Sequence, residues 1–278
     1  MNEKIIYILG AGRSGTTLLD IILGNEPQFF SAGELNRIPK RNFSPHLPRD
    51  ENVFKFWNHV KACINNYESE YSNFQKLEYH FGFIHRFIKR KSFKKYIFFN
   101  KELFKSIVKA SKKSFIIDSS KYPLRALWLS KIYGKEICFI YMKRHPLATV
   151  NSFGNKSVEQ PHKSNYYAHF YLLFINILSN IIFNFLLPKK SKKCVIHLED
   201  LSSNSLKSIS HIERSLGLDL KNLIKKVENN QSFDVGFLFD GNRLRLRKKI
   251  ILINNNNKKR LKVIDKFLLS IHKFFWYY

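Results

Sequence analysis

A compact apolar run, Ile5-Ile6-Tyr7-Ile8-Leu9, passes without interruption into Gly10-Ala11-Gly12-Arg13-Ser14-Gly15-Thr16-Thr17 and then into Leu18-Leu19-Asp20-Ile21-Ile22-Leu23. The first run has the length and branching of a buried strand, and the last reads as a buried helix stopped at Gly24. A strand, a glycine-rich turn and a helix start, in that order, aim backbone N–H groups and a helix dipole at one point, where an anion belongs. Gly10, Gly15 and Thr17 keep the spacing of a Gly-x-x-x-x-Gly-Lys-Ser/Thr loop. Thr16 stands where that loop has its lysine, and the positive charge has moved inside the loop as Arg13.

That exchange bears on the ligand. A nucleoside triphosphate brings several charges and a magnesium ion, and the loop lysine helps to neutralise its terminal phosphates. An arginine, backbone N–H groups and two hydroxyls suit a donor with one charge fewer at the transferring group and no metal. A phosphosulfate meets that description. Asp118, at the end of Phe115-Ile116-Ile117, is the carboxylate that a metal-dependent alternative would use, although Lys121 three residues on competes with a cation for the same space.

The stretch Gly12-Arg13-Ser14-Gly15-Thr16-Thr17-Leu18-Leu19, followed by Gly33-Glu34 and by Asp118-Ser119-Ser120-Lys121, resembles the bacterial sulfotransferase family. Arg144 after a strand, Ser152 eight residues later, His197-Leu198-Glu199-Asp200-Leu201 and Gly241-Asn242-x-x-Arg245 extend the resemblance over most of the chain. Members use 3′-phosphoadenosine-5′-phosphosulfate (PAPS) as donor. The resemblance implies that Arg13, Ser14, Gly15, Thr16 and Thr17 wrap the 5′-phosphosulfate, that Arg144 and Ser152 hold the 3′-phosphate, and that Asn242 and Arg243 lie near the donor. It also implies Glu34 as general base, as in the more distantly similar tyrosylprotein sulfotransferases, with Arg13 and Lys121 stabilising the leaving phosphate and no metal. His145 stands where most members have Asp, so no role is carried over to it. Ser119 and Ser120 read as caps of the following helix.

Strands are expected at Lys4–Leu9, Phe29–Ala32, Ser114–Asp118, Ile137–Met142 and Cys194–His197, with helices at Thr17–Leu23, Leu124–Ile132, Pro146–Phe153 and 166–187. This alternation argues a single doubly wound α/β domain over 1–278, with a mostly parallel sheet and ligands at the carboxyl ends of its strands. If the first two strands are neighbours, Glu34 faces the Arg13 loop. Residues 45–112, rich in Phe, Tyr and Lys, read as a helical insertion on the acceptor side. The tail 243–278 is basic, then Asn-rich, then helical from Leu261 to Phe275 with an aromatic end that packs on the domain.

The formal charge is +27, and 35 of the 48 basic residues are lysines. Lysine accompanies abundant Asn, Ile and Phe, so the charge alone does not indicate nucleic acid, and no Arg-rich patch interleaved with aromatics points to one. Cys63, Cys138 and Cys194 have no paired spacing, which fits the cytoplasm, and the immediate entry into the first strand leaves no room for a signal peptide. The apolar stretch Tyr166–Leu187 is long enough for a membrane span, but Asn176, Asn180 and Asn184 recur every fourth residue along it. A packed helix, or peripheral contact with the inner membrane face, fits that polar stripe better than a span. The expected function is therefore sulfuryl transfer from PAPS to a hydroxyl of a glycan, a lipid-linked sugar or a small molecule. The alternatives are a phosphotransferase using ATP and magnesium on Asp118, and a non-catalytic protein binding nucleotides or polyanions.

Overall fold

The computed structural model describes residues 3–64, 74–78, 90–153, 165–252 and His272. Five parallel strands, β1 (Lys4–Gly10), β2 (Phe29–Gly33), β3 (Phe115–Lys121), β4 (Ile137–Lys143) and β5 (Lys193–His197), form a sheet in the order β2-β3-β1-β4-β5. The helices are α1 (Thr16–Leu23), α2 (Ile38–Arg41), α3 (Glu51–Ala62), α4 (Gln75–Glu78), α5 (Arg90–Ser111), α6 (Pro123–Tyr133), α7 (Pro146–Phe153), α8 (Asn165–Ile181), α9 (Leu198–Ser203), α10 (Ser205–Leu216) and α11 (Lys221–Glu228). A short antiparallel ribbon, β6 (Phe233–Asp234) with β7 (Lys249–Ile250), has no counterpart in the expectations from sequence. This is the expected doubly wound α/β architecture.

The strands read as continuous apolar runs because both faces of the sheet are covered. Ile5, Tyr7 and Leu9 of β1 pack with Trp57 of α3, Leu103 of α5 and Leu124 and Trp128 of α6. Ile6 and Ile8 face the opposite layer, where Leu19 and Ile22 of α1, Ile209 and Ile212 of α10 and Leu223 of α11 are buried.

Two expectations about the strand ends are corrected. First, β1 and β2 are not neighbours: β3 lies between them, pairing Ile5 with Ile116 on one side and Phe30 with Ile116 on the other. Glu34 thus reaches the loop across the end of β3. Second, β3 runs on to Lys121, so Ser119 and Ser120 are strand residues and not helix caps. The following helix starts with Tyr122 at its N-cap and Pro123 as its first residue. Ser119 Oγ donates to Asp20 at 2.6 Å, and Ser120 Oγ donates to Asp118 while accepting from the Asn36 N–H at 3.0 Å.

Within 45–112 the described residues carry α3, α4 and α5, and Asp50 caps α3 by accepting from the Val53 N–H at 3.2 Å. Its apolar side chains join the main core, and the Trp57 indole donates to the Phe237 carbonyl at 2.7 Å. The tail helix from Leu261 to Phe275 lies outside the described residues except for His272, which is buried with Nε2 3.2 Å from Nδ1 of His169.

The apolar segment is α8, extended by one wide helical turn, Ile182–Leu186. Tyr166–Leu186, with a mean hydropathy of 1.6, is long and apolar enough to cross a membrane. It is nevertheless the crossover between β4 and β5, which pair side by side from Phe139–Lys193 to Lys143–His197, so it packs along the domain and does not span. The asparagines do not share one environment: Asn180 is half-buried and Asn184 exposed. Asn176 is buried and accepts from the Tyr141 hydroxyl at 3.4 Å, whereas Phe170, Phe174 and Phe185 face outward.

Candidate active site

The loop between β1 and α1 lies at the carboxyl edge of the sheet, with β3 and β4 flanking β1. In open α/β sheets this is where ligands bind. Arg13 and Gly15 hold the left-handed conformation, with φ 70° and 93°. At the φ of Gly15 a side chain is strained, so the turn needs a glycine there for its shape. Gly15 is the N-cap of α1, which leaves the first N–H groups of that helix without partners inside it.

A cavity opens at this helix start, lined by Gly12, Arg13, Gly15, Thr16, Thr17 and Leu18 of the loop and helix, by Glu34 and Lys121, and by Gly241–Leu244. The strand ends thus bring together Arg13, Gly15, Thr16, Thr17, Glu34, Lys121, Asn242 and Arg243, although they are far apart in sequence. Ser14 is turned away: its hydroxyl donates to the Ala11 carbonyl at 2.7 Å and its N–H to the same oxygen at 3.3 Å. Arg144 packs behind the loop, where Nη1 donates to the Arg13 carbonyl at 2.9 Å. Ser152 lies half-buried on α7. Neither Arg144 nor Ser152 lines this cavity or the one beside it.

Glu34 is buried at the junction of the two cavities. Its carboxylate pairs with Lys121 Nζ and with Arg37 Nε at 3.1 Å. Burial pushes its pKa up, but Lys121 and Arg37 outweigh burial and hold the carboxyl below its usual range. The neighbouring backbone is fixed from two sides. The Glu34 N–H donates to the Asp240 carbonyl at 3.2 Å, and the Gly33 N–H donates to Asp20 at 3.0 Å.

Asp20 is the residue whose positioning role sequence reading missed. It is fully buried and accepts from Ser31, Ser119 and Gly33, tying α1 to the ends of β2 and β3. Burial raises its pKa to about 7 against the pull of these three bonds. The signal was present, since Asp20 is the lone charge in the apolar helix TTLLDIIL. Arg37 was missed as well: besides Glu34 it approaches Asp240 to 3.6 Å, next to Arg41 at 3.2 Å from the same carboxylate. Arg245 holds the 241–245 turn, donating to the Gly241 carbonyl at 2.8 Å and the His46 carbonyl at 3.0 Å.

The second cavity shares Gly12, Glu34 and Lys121 with the first. Its remaining lining is Gly10, Arg37, Ser120–Pro123, Phe153, Tyr167, Tyr171 and Ile175. Tyr171 of α8 reaches the loop, its hydroxyl accepting weakly from the Gly12 N–H at 3.4 Å, and its ring meets Phe153 edge-on. One cavity is therefore rich in donors and cations, the other is walled by aromatic rings, and Glu34 with Lys121 stands between them. Among the described residues none of 45–112 lines either cavity, whereas Tyr167, Tyr171 and Ile175 of α8 line the second.

Asp118 is fully buried and turned toward α6, where Arg125 Nε donates to it at 2.9 Å. Its carboxylate is occupied in a buried ion pair, and the magnesium role that a phosphotransferase would give it is not open to it.

A glycine-rich loop, a helix start and a cationic cavity at the carboxyl edge of a doubly wound sheet make a place suited to an anionic ligand. Residues 6–222 match the sulfotransferase family, and the chain belongs to it. The sulfotransferase domain from the curacin biosynthetic pathway is similar in fold, with 17% identity over 98% of both chains and a TM-score of 0.57. Sulfotransferase STF9 from Mycobacterium avium matches with 11% identity over 82% of this chain and 68% of its own, at a TM-score of 0.51. Sulfotransferase STF1 from Mycobacterium tuberculosis H37Rv gives 12% identity, coverages of 84% and 73%, and a TM-score of 0.50. No match is found among proteins of curated function.

Proposed function

We propose that this sulfotransferase moves a sulfuryl group from PAPS to a hydroxyl of its acceptor, with Glu34 as base. The observation that carries this reading is the meeting of the two cavities at Glu34 and Lys121. The donor set of the first cavity suits a phosphosulfate. It offers the helix N-terminus, the hydroxyls of Thr16 and Thr17 and the cations Arg13, Lys121 and Arg243, and Glu34 is the one carboxylate among its lining residues. The acceptor oxygen forms the new bond to sulfur, the bridging bond between sulfur and the 5′-phosphate oxygen breaks, and that electron pair leaves on 3′,5′-ADP. Glu34 takes the acceptor proton, while Arg13 and Lys121 meet the charge that develops on the leaving oxygen. Arg144 and Ser152 are assigned to the 3′-phosphate, and Asn242 with Arg243 to the donor, on the family resemblance.

The pairing in the free protein gives this reaction an order. A carboxylate held by two cations is a weak base. Donor charge arriving beside Lys121 gives that lysine a second partner and leaves Glu34 mainly with Arg37, which raises the basicity of Glu34 when the donor is in place.

The direct test is incubation of the chain with 35S-labelled PAPS and cell extract in the presence of a metal chelator. Transfer of label, inhibited by 3′,5′-ADP, is the expected result. No transfer, together with salt-sensitive binding to polyanions, would show instead a non-catalytic binding protein. A second test uses pH. Because Arg37 helps to hold Glu34 below its usual range, Arg37→Ala is expected to move the acidic limb of kcat/KM upward by about one pH unit, a Coulomb effect of ~1 kcal/mol at this spacing. An unmoved limb would place the titrating base elsewhere.

A further inference from the structure

The outer face of α8 is aromatic where a packed surface helix should be polar. At 3.6 residues per turn, Tyr166, Phe170, Phe174 and Ile181 fall within an arc of about 80°, and Phe185 follows in the wide turn after them. All five are exposed, Phe170 by 69% and Phe185 by 79%. Lys189, Lys190 and Lys192, also exposed, follow at the carboxyl end of this stripe. Tyr167 belongs to both surfaces: it is 49% exposed and it lines the second cavity. The mouth of the aromatic cavity therefore opens beside the apolar stripe.

We propose that this face and the lysines after it dock on an anionic lipid bilayer, and that the acceptor is a hydroxyl compound held in that bilayer. The second half of this proposal rests on the sulfuryl-transfer reading; the first does not. Aromatic rings along one face with lysines at one end are the composition of a helix lying in the membrane interface, its rings at headgroup level and its lysines on lipid phosphates. Charge selects the bilayer over a second copy of the chain. A surface within a molecule of net charge +27 is attracted to anionic lipid and repelled by its like. Docked this way, Tyr167 sits at the membrane surface and Tyr171 lies one turn inward at the loop. An amphiphile whose polar head leaves the headgroup layer would enter between these rings and reach Glu34.

The test is flotation of the full chain with vesicles of phosphatidylcholine alone or of equimolar phosphatidylcholine and phosphatidylglycerol. Binding to the anionic vesicles is expected, weakening as salt rises, with about tenfold less on phosphatidylcholine alone. Phe170→Ser with Phe185→Ser, and separately Lys189→Glu with Lys190→Glu, should each lower binding about tenfold or more at unchanged melting temperature and 3′,5′-ADP affinity. Wild-type chain that ignores anionic vesicles, variants that bind as wild type, or a wild-type dimer that the Phe pair renders monomeric would overturn the docking assignment. For the acceptor, 35S-PAPS is supplied with lipid extract reconstituted in anionic vesicles or with aqueous extract. Label entering lipid, and falling about tenfold in the Phe pair, supports it. Label confined to water-soluble products and indifferent to the Phe pair overturns the acceptor class while sulfuryl transfer stands. Failure of both 3′,5′-ADP binding and labelling would remove the sulfuryl-transfer reading and the acceptor class with it, leaving vesicle binding to be judged alone.

Discussion

Glu34→Gln is expected to lower turnover about 10³-fold while 3′,5′-ADP binds within about threefold of the wild-type affinity, because loss of a positioned general base costs roughly that much. The substitution keeps the shape of the side chain and its acceptor oxygen toward Arg37, so the junction of the two cavities survives. What it removes is the capacity to take a proton. It also frees Lys121 from its carboxylate partner, so donor affinity should hold or rise. This separates a base from a merely structural partner of Lys121, whose loss would weaken donor binding and turnover together. Calorimetric titration with 3′,5′-ADP beside single-turnover transfer measures both quantities. Turnover within about tenfold of wild type would assign deprotonation to another group.

How far this site was legible in the sequence depended on whether the forces acting on each residue are local. The glycine-rich loop was readable because its spacing, its left-handed glycine and the helix start after it are all settled within a few residues. The strands were readable from their apolar runs, but not where they stop. β3 continues through Asp118-Ser119-Ser120, a polar stretch that looks like a turn, because the partners satisfying those side chains come from α1 and α6. The order of the strands was not legible either, and β3 lies where β1 and β2 were expected to touch. Glu34 still reaches the loop, because parallel strands in one sheet end at a common edge whatever their order.

Tyr167 and Tyr171 were assigned to an apolar helix with no reason to place them at a cavity. Only the tertiary path of α8 across the loop reveals that role. The Asn176-Asn180-Asn184 spacing invited an amphipathic reading, and tertiary contact broke it up: Tyr141 draws Asn176 inward, Asn184 stays exposed, and Phe170, Phe174 and Phe185 are left outside.

Arg125→Met should destabilise the protein by about 4 kcal/mol, enough to lower its Tm by roughly 10 °C in a chain of this size. Arg125 is buried between Asp118 and Glu78, and Tyr96 donates to Glu78 at 2.8 Å from the same pocket. Methionine fills most of the space but leaves two carboxylates without their cation, and the cost of such a change comes from those stranded charges more than from the lost attraction. Burial already lifts the Glu78 carboxyl above its usual range despite Arg125, and without the arginine it rises further. A carboxyl whose folded pKa lies above its unfolded value makes the native state bind more protons, so stability falls as pH rises between those two values. The variant should therefore regain part of its deficit on acidification from neutral pH toward the unfolded carboxylate pKa of roughly 4. Adding Asp118→Asn and Glu78→Gln should restore part of it at neutral pH. Thermal melts of the three proteins across that range decide the matter. A loss below about 1 kcal/mol for Arg125→Met, or one unaffected by pH and by neutralising the carboxylates, would mean that this ion pair is not desolvated. The loss would then belong to packing alone, and the carboxyl edge of β3 that carries Lys121 to Glu34 would owe nothing to the charges beneath it.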